Sequence, residues 1–238
     1  MIGCDCKVCL STDPRDNRTR PSVIIRYNNR VVLIDTTPDF RSQALREGID
    51  RLDAVLFTHA HVDHILGLDD VRVFNFRQKG PIPIYANKKT LDAIQHTFKY
   101  IFDGTRYHGA LPQLTPSVIN GPIDLFGCKF HPIPVMHGDL EILGFSFGKT
   151  AYLTDVSHIP LSSKKKLRHL DLLTLDALRH KEHPTHSSVR QALALVRELE
   201  PCRAYFTHIA HDLPHAETNK SLPENVRLAH DGLSIEIT

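Results

Sequence analysis

Residues 58–64 read THAHVDH and place four potential metal ligands within six positions, namely His59, His61, Asp63 and His64. They follow the short apolar run DAVLF, which predicts a buried strand. His59 and His61 lie two apart, as on one side of an extended segment, and the chain then turns into a helix. Three histidines and a carboxylate are costly to bury without partners. The segment therefore predicts a metal site at a strand end, with two ligands for one ion and two for a second.

Three further polar side chains each end an apolar run. His137 follows PIPVM, Asp155 follows AYLT and His208 follows RAYFT. Taken singly, each could be an ordinary loop residue. Because side chains at the ends of neighbouring strands can converge on one edge of a sheet, we expect these three to complete the metal site.

Short β-type runs alternate with helical stretches along the chain, which predicts a layered α/β fold. The predicted strands are 22–27, 30–35, 53–58, 83–86, 127–136, 143–148, 151–154, 170–175, 203–207 and 233–237. The predicted helices are 39–48, 89–102 and 187–199. No repeat, low-complexity tract or linker marks a boundary, so we predict one domain over residues 1–238.

Composition and charge limit the partners and the cellular compartment that we expect for this chain. Lys+Arg 29 against Asp+Glu 27 gives a formal charge of +2, so no basic field argues for nucleic acid. The basic cluster at 164–168 is interpreted as a solvated helix face. No run of eighteen apolar residues and no signal peptide is found, and five cysteines fit reduced thiols better than a disulfide framework. We therefore expect a cytoplasmic protein with no membrane association.

The first nine residues contain Cys4, Cys6 and Cys9, which offer three thiolates in one tight loop. That is one ligand short of a tetrahedral structural zinc site. His211, three residues after His208, is the best candidate for the fourth ligand because a chain held at the active site would carry it nearby. The alternative interpretation is a set of unpaired surface thiols, which would be open to oxidation.

The motif HxHxDH is followed by a later His, a later Asp and a final His. This order resembles the metallo-β-lactamase superfamily along nearly the whole chain, and Asp35 in VVLIDTTPDF matches the early aspartate of that superfamily. The resemblance implies an αββα sandwich and a dinuclear centre. One ion would be bound by His59, His61 and His137, and the other by Asp63, His64 and His208, with Asp155 bridging. Asp35 would hydrogen-bond the ligand loop from outside.

Such a centre predicts a metal-dependent hydrolase. Two ions roughly 3.5–4 Å apart can share a hydroxide nucleophile and hold a phosphate oxygen. Histidine and carboxylate ligands suit Zn²⁺ and also the harder Mn²⁺. Asp63, as a ligand of this centre, is predicted to be required for catalysis.

A narrower resemblance rests on GCDCxVC at residues 3–9, THIxH at 207–211 and Asp231-Gly232. These residues are similar to the phosphodiesterase of the carbon–phosphorus lyase pathway, which hydrolyses cyclic phosphodiesters of ribose, with manganese favoured. The resemblance implies a small phosphodiester substrate, His186 as proton donor, one structural zinc and, as in many relatives, a homodimer.

Family members usually begin with a strand and a glycine-rich turn before the cysteine loop, so we expect the fold to lack that first strand, through a misassigned start or a truncation.

Other predictions stay open at this level. Arg72, Arg179 and His183 are candidates for substrate binding, against structural ion pairs or loop roles. The alternative functions are ribonuclease Z-like RNA processing, hydrolysis of a thioester or lactam on the same fold, and metal binding without catalysis.

Overall fold

Residues 1–104 and 110–237 are described by the computed structural model. Contacts divide the chain into two units, which we call the middle unit (Arg20–Lys129) and the terminal unit (Met1–Thr19 with Phe130–Thr238). Two sheets with helices confirm the predicted α/β class. The prediction of one domain stays a prediction. Within the described ranges, no helix is long and apolar enough to cross a bilayer.

The middle unit contains a five-stranded sheet of order β1-β2-β3-β4-β5. The first two strands form an antiparallel hairpin, and β2 to β5 run parallel. Asn28 and Asn29 at its turn have φ of 48° and 56°, as a type I′ turn requires. The strands of this sheet are Val23–Tyr27 (β1), Arg30–Ile34 (β2), Ala54–Leu56 (β3), Ile82–Ala86 (β4) and Leu114–Val118 (β5), and the short strand Ile123–Leu125 (β6) belongs to the second sheet.

Helices of the middle unit bury one core that includes Phe57, Ile65 and Leu68, each at most 1% exposed. The segment with the four candidate metal ligands, residues 58–64, runs from the end of β3 into this core, so its position is fixed by packing on both sides. The helices are Phe40–Arg46 (α1), Val62–Ile65 (α2), Arg72–Gln78 (α3), Lys88–Thr97 (α4) and Lys99–Phe102 (α5), with a 3₁₀ turn at Leu68–Val71.

The second sheet contains seven strands in the order β12-β11-β10-β9-β8-β7-β6, and its strands from Phe130 onward belong to the terminal unit. Strands β9 to β12 are parallel, so their carboxyl ends lie at one edge. The strands are Cys128–His137 (β7), Leu140–Phe147 (β8), Thr150–Leu153 (β9), Leu172–Asp176 (β10), Arg203–Thr207 (β11) and Val226–Leu228 (β12).

Helix α7 (Val189–Leu199) begins at a capping box in which the N–H of Gln191 donates to Ser188 Oγ and Gln191 Oε1 accepts from the Ser188 N–H. The cap fixes the chain directly after His186. The other helices of the terminal unit are Leu161–Lys164 (α6) and His215–Ser221 (α8), with a 3₁₀ turn at Pro14–Asp16.

Two element predictions were wrong. Residues 233–237 alternate in polarity but form no strand, since alternation alone supplies no partner for the backbone, and the last described strand is β12. The predicted helix 89–102 is divided at Phe98, whose φ of −106° and ψ of 41° leave the helical region. Phe98 is only 6% exposed, so burial of its ring accompanies the break.

Candidate active site

The middle unit holds its four candidate ligands around a buried aspartate. Asp35 follows β2 and is fully buried. Its carboxylate accepts hydrogen bonds from the N–H and Oγ1 of Thr58, each at 2.8 Å, and lies 2.8 Å from His64 Nδ1. Because a carboxylate can only accept hydrogen bonds, the proton of the His64 ring is on Nδ1, and this contact fixes the tautomer of His64. Asp35 therefore ties both ends of the ligand segment together.

The imidazoles of this segment converge. Nε2 of His59 is 3.0 Å from Nδ1 of His61, and the ring centroids of His59 and His64 are 4.3 Å apart. Asp63 Oδ2 is 3.5 Å from His64 Nε2. Two ring nitrogens at 3.0 Å must share a proton or face a cation, which suits a metal-binding segment. We call this group the loop half-site.

The terminal unit places its candidates at the ends of alternate strands of the second sheet. His137 ends β7, Asp155 follows β9 and His208 follows β11. Nε2 of His208 is 2.9 Å from Asp155 Oδ1. The ring of His186 lies 4.7 Å from that of His137 and 4.8 Å from that of His208. The structure thus brings these four together, and we call them the strand-end half-site.

Sequence reasoning missed Asp176, the last residue of β10. This carboxyl group is fully buried, and its Oδ2 accepts from the N–H groups of Val156 (2.9 Å) and Ser187 (3.1 Å) and lies 3.2 Å from His186 Nδ1. Burial raises the pKa of Asp176, and His186 and His208 oppose that rise. The signal that could have found it is the run LLTLD, an apolar strand ending in a carboxylate, as at Asp155.

His137 is oriented in the same way. Its Nδ1 is 2.8 Å from the carbonyl oxygen of Thr185, so Nδ1 is the protonated nitrogen and the lone pair is on Nε2. Gly138 allows this approach, because a Cβ there would lie 2.9 Å from Thr185 Cγ2.

Backbone strain is stored beside the loop half-site and within the strand-end half-site. Asp35, Asp155 and His208 have φ of 65°, 55° and 54°, in the left-handed region that few residues other than glycine adopt. Each such residue costs about 1–3 kcal/mol, and such strain is concentrated at functional sites.

A separate cluster lies within the terminal unit. Donor atoms of Cys4, Cys6, Cys9 and His211 all lie within 4.8 Å of one another. Hydrogen bonds from the Cys9 N–H and then from His211 lower the pKa of the Cys6 thiol to about 6. Three thiols and an imidazole at these distances form the donor set of a Cys₃His zinc site. We call these four residues the thiolate cluster.

The weaker candidates take local roles. Arg72 forms an ion pair with Asp69, and the guanidinium of Arg179 donates to the carbonyl oxygens of Lys181 and Glu182. The ring of His183 lies 5.0 Å from that of His186, and burial, followed by the charges of His186 and Arg179, lowers the pKa of His183. Contact of Arg72, Arg179 or His183 with a substrate stays a prediction.

The fold and the histidine and aspartate clusters define a class. A family model described as the beta-lactamase superfamily domain matches residues 30–209. The chain belongs to the metallo-β-lactamase superfamily of hydrolases, a fold family that implies divalent metal binding.

Particular relatives narrow the class. A diphosphatase from the PhnP family, known from a crystal structure, is 53% identical, with a TM-score of 0.93 over 100% of this chain and 92% of that chain. Zn²⁺-bound PqqB from Methylobacterium extorquens is 19% identical, with a TM-score of 0.78 over 99% of this chain and 95% of that chain, a likeness in fold alone.

The octanoyltransferase of Porphyromonas gingivalis is 38% identical over 236 residues, which are 98% of this chain and 48% of that protein. The chain spans about half the length of the curated relatives that it matches. About half of the octanoyltransferase lies outside the match, so its transferase name is not transferred to this chain.

Proposed function

We propose that this chain is a metal-dependent phosphodiesterase that acts on a small molecule, with a cyclic ribose phosphodiester as one candidate. The proposal rests above all on the hydrogen-bonded pair His186–Asp176 within a chain 53% identical to a diphosphatase. That pair can deliver a proton to a leaving oxygen, which the cleavage of an unactivated phosphodiester requires.

The donor sets of both half-sites fit divalent ions. We propose that two ions, Zn²⁺ or Mn²⁺, are held by the seven ligands His59, His61, Asp63, His64, His137, Asp155 and His208. Imidazoles with a fixed tautomer and carboxylates suit both metals. When bound, such ions bring the pKa of a water to about 7 and stabilise charge on a phosphate oxygen.

The chain's own residues would then divide the work. Asp35 holds His64 and the ligand segment in place through three contacts of 2.8 Å. Asp176 accepts from Nδ1 of His186, which presents Nε2 of the imidazolium to the departing oxygen. Asp176 is fully buried, so its contact with the His186 ring is less screened by water than that of an exposed carboxylate would be.

A diphosphate linkage is the second candidate, because the relative that is 53% identical is described as a diphosphatase. A phosphate leaving group is a weaker base than a ribose oxygen, so it needs less help from His186. The two candidates therefore differ in how strongly they depend on this residue.

The test is a panel of substrates with Mn²⁺ or Zn²⁺. It contains bis-p-nitrophenyl phosphate, 2′,3′-cyclic nucleotides, ribose cyclic phosphates, dinucleoside diphosphates, tRNA precursors, a thioester and nitrocefin. We expect turnover of the small phosphodiesters that is lost in Asp63→Ala. Turnover of tRNA precursors, the thioester or nitrocefin alone would contradict the proposal, and no turnover of any substrate by metal-loaded protein would favour metal binding without catalysis.

We also propose that the thiolate cluster holds one structural zinc ion. The cluster joins the N-terminal loop to the segment after β11, so a metal there would cross-link residues more than 200 positions apart.

A further inference from the structure

Residues 208–213 carry a candidate ligand for each type of metal site. They lie between β11 (Arg203–Thr207) and α8 (His215–Ser221) and belong to neither a strand nor a helix. His208 belongs to the strand-end half-site and His211 to the thiolate cluster. With no regular hydrogen-bond ladder, the carbonyl groups of this segment need partners from elsewhere in the unit.

Arg18 supplies two of those partners. Its Nη1 donates to the carbonyl oxygen of Ala210 at 3.1 Å, and its Nη2 donates to that of Leu213 at 2.7 Å. The amide of Ala210 is held on its other side, because its N–H donates to the carbonyl oxygen of Leu178 at 2.8 Å. The segment is therefore held from two sides, by Arg18 and by the loop that follows β10.

The arginine is itself fixed. Its side chain is 11% exposed, and Nη2 lies 3.1 Å from Oδ1 of Asp16, whose side chain is 6% exposed. The same oxygen accepts the N–H of His215 at 2.8 Å, at the start of α8. Arg18 and Asp16 thus bind both ends of the region that follows His208.

We propose that Arg18 is a positioning residue for the hydrolytic site, acting by holding the segment that carries His208 and His211. The inference rests on the proposed function for its effect on turnover, and on geometry alone for its effect on the segment. A planar guanidinium can donate to two carbonyl groups three residues apart, whereas the single ammonium of a lysine cannot keep the same fork.

The experiment compares Arg18→Ala, Arg18→Lys and the control Arg15→Ala. Arg15 lies in the same segment and pairs with Asp13, but its side chain is 47% exposed and it contacts no part of residues 208–213 in the described hydrogen bonds. Three readouts are taken: amide hydrogen exchange over residues 207–213, zinc content, and turnover of the best phosphodiester with and without added methylguanidinium.

We expect exchange over residues 207–213 to rise at least about tenfold in Arg18→Ala, and turnover to fall by about 100-fold, the loss that a misplacement of about 1 Å can cause. Methylguanidinium should restore part of both, which a general loss of stability would not allow. Arg15→Ala should match the parent protein. Unchanged exchange in folded Arg18→Ala would overturn the proposal.

If Arg18→Ala does not fold, Arg18→Lys decides, since it keeps the buried charge. Faster exchange and lower turnover than in the parent protein would support the proposal, and parent-like values of both would overturn it. If the parent protein hydrolyses nothing on the panel, the proposed function fails, while the exchange data still judge the role of Arg18.

Discussion

Each unit contains a buried aspartate whose carboxylate lies next to Nδ1 of a histidine. The two aspartates differ in their other hydrogen-bond partners. Asp35 lies 2.8 Å from His64 Nδ1, and Asp176 lies 3.2 Å from His186 Nδ1. Both carboxyl groups are fully buried. Asp35 also accepts twice from Thr58, directly before the ligands, whereas Asp176 accepts from the backbone next to Asp155 and His186.

Similar Asp–His pairs can therefore have different roles within one protein. The Asp35 pair holds a loop that carries the proposed ligands His59, His61, Asp63 and His64, so its effect should be on metal affinity. The Asp176 pair orients a histidine that we propose to be a proton donor and not a ligand, so its effect should depend on the leaving group. The following changes are ordered by the size of the effect on turnover.

Asp63→Ala should give the largest effect. It removes one proposed ligand from the loop half-site and leaves the apolar core of the middle unit intact, so turnover of every substrate should fall by at least about 10³-fold while the fold is kept. Steady-state kinetics and metal content measure this, with the exposed Asp50→Ala as control. Normal metal content together with normal turnover would remove Asp63 from the site.

His186→Ala should be selective. General acid catalysis contributes about 10²–10⁴-fold, and only for a poor leaving group. Hydrolysis of an alkyl or ribose phosphodiester should therefore fall by that amount, and hydrolysis of a p-nitrophenyl ester only by a few fold, with metal content unchanged. His180→Ala, at an exposed position in the same loop, is the control. Loss of metal would make His186 a ligand, and equal losses on both esters would assign it to phosphate binding.

Asp35→Asn should act through the metal. Asparagine tolerates the left-handed backbone of this position, where φ is 65°. It cannot accept from Thr58 and His64 as a carboxylate does, so metal affinity should fall about 10–100-fold. Titration calorimetry with Mn²⁺ measures this. Turnover at saturating metal should recover to within a few fold, and a failure to recover would give Asp35 a role beyond holding the loop.

Cys6→Ser should change turnover least. Loss of one thiolate should release the zinc of the thiolate cluster and lower the melting temperature, while the active-site ions can still be exchanged. Metal analysis before and after chelation distinguishes the two kinds of site, with the exposed Cys202→Ser as control. Unchanged zinc content and melting temperature would remove the cluster from the proposal.

The two half-sites differ in how far they could be predicted from the sequence. The loop half-site consists of neighbours in the chain, so a local pattern was enough to find it. His137, Asp155 and His208 are spread over the terminal unit, and only their places at strand ends connected them. Those places are set by hydrophobic patterns, which also predicted most strands to within a few residues.

Asp176 was missed although it ends an apolar run, because a carboxylate at a strand end does not by itself show which side chain it contacts. Its partner His186 lies ten residues away in a loop held by tertiary contacts, such as the bridge between Arg179 and Ser188. The hydrogen bonds from Arg18 to residues 208–213 are equally non-local, because they join positions about 190 residues apart in the chain. Contacts of this kind depend on the fold and have no period in the sequence.

Proton delivery by the Asp176–His186 pair is tested most directly by the dependence of kcat/KM on leaving-group pKa for a series of aryl and alkyl phosphodiesters, at saturating metal. The parent protein, Asp176→Asn and Asp35→Asn are compared. We expect Asp176→Asn to give a steeper dependence, with the greatest losses for the poorest leaving groups, and Asp35→Asn to run parallel to the parent protein. Parallel lines for all three, or a steeper line for Asp35→Asn, would contradict the assignment of proton delivery to the Asp176–His186 pair.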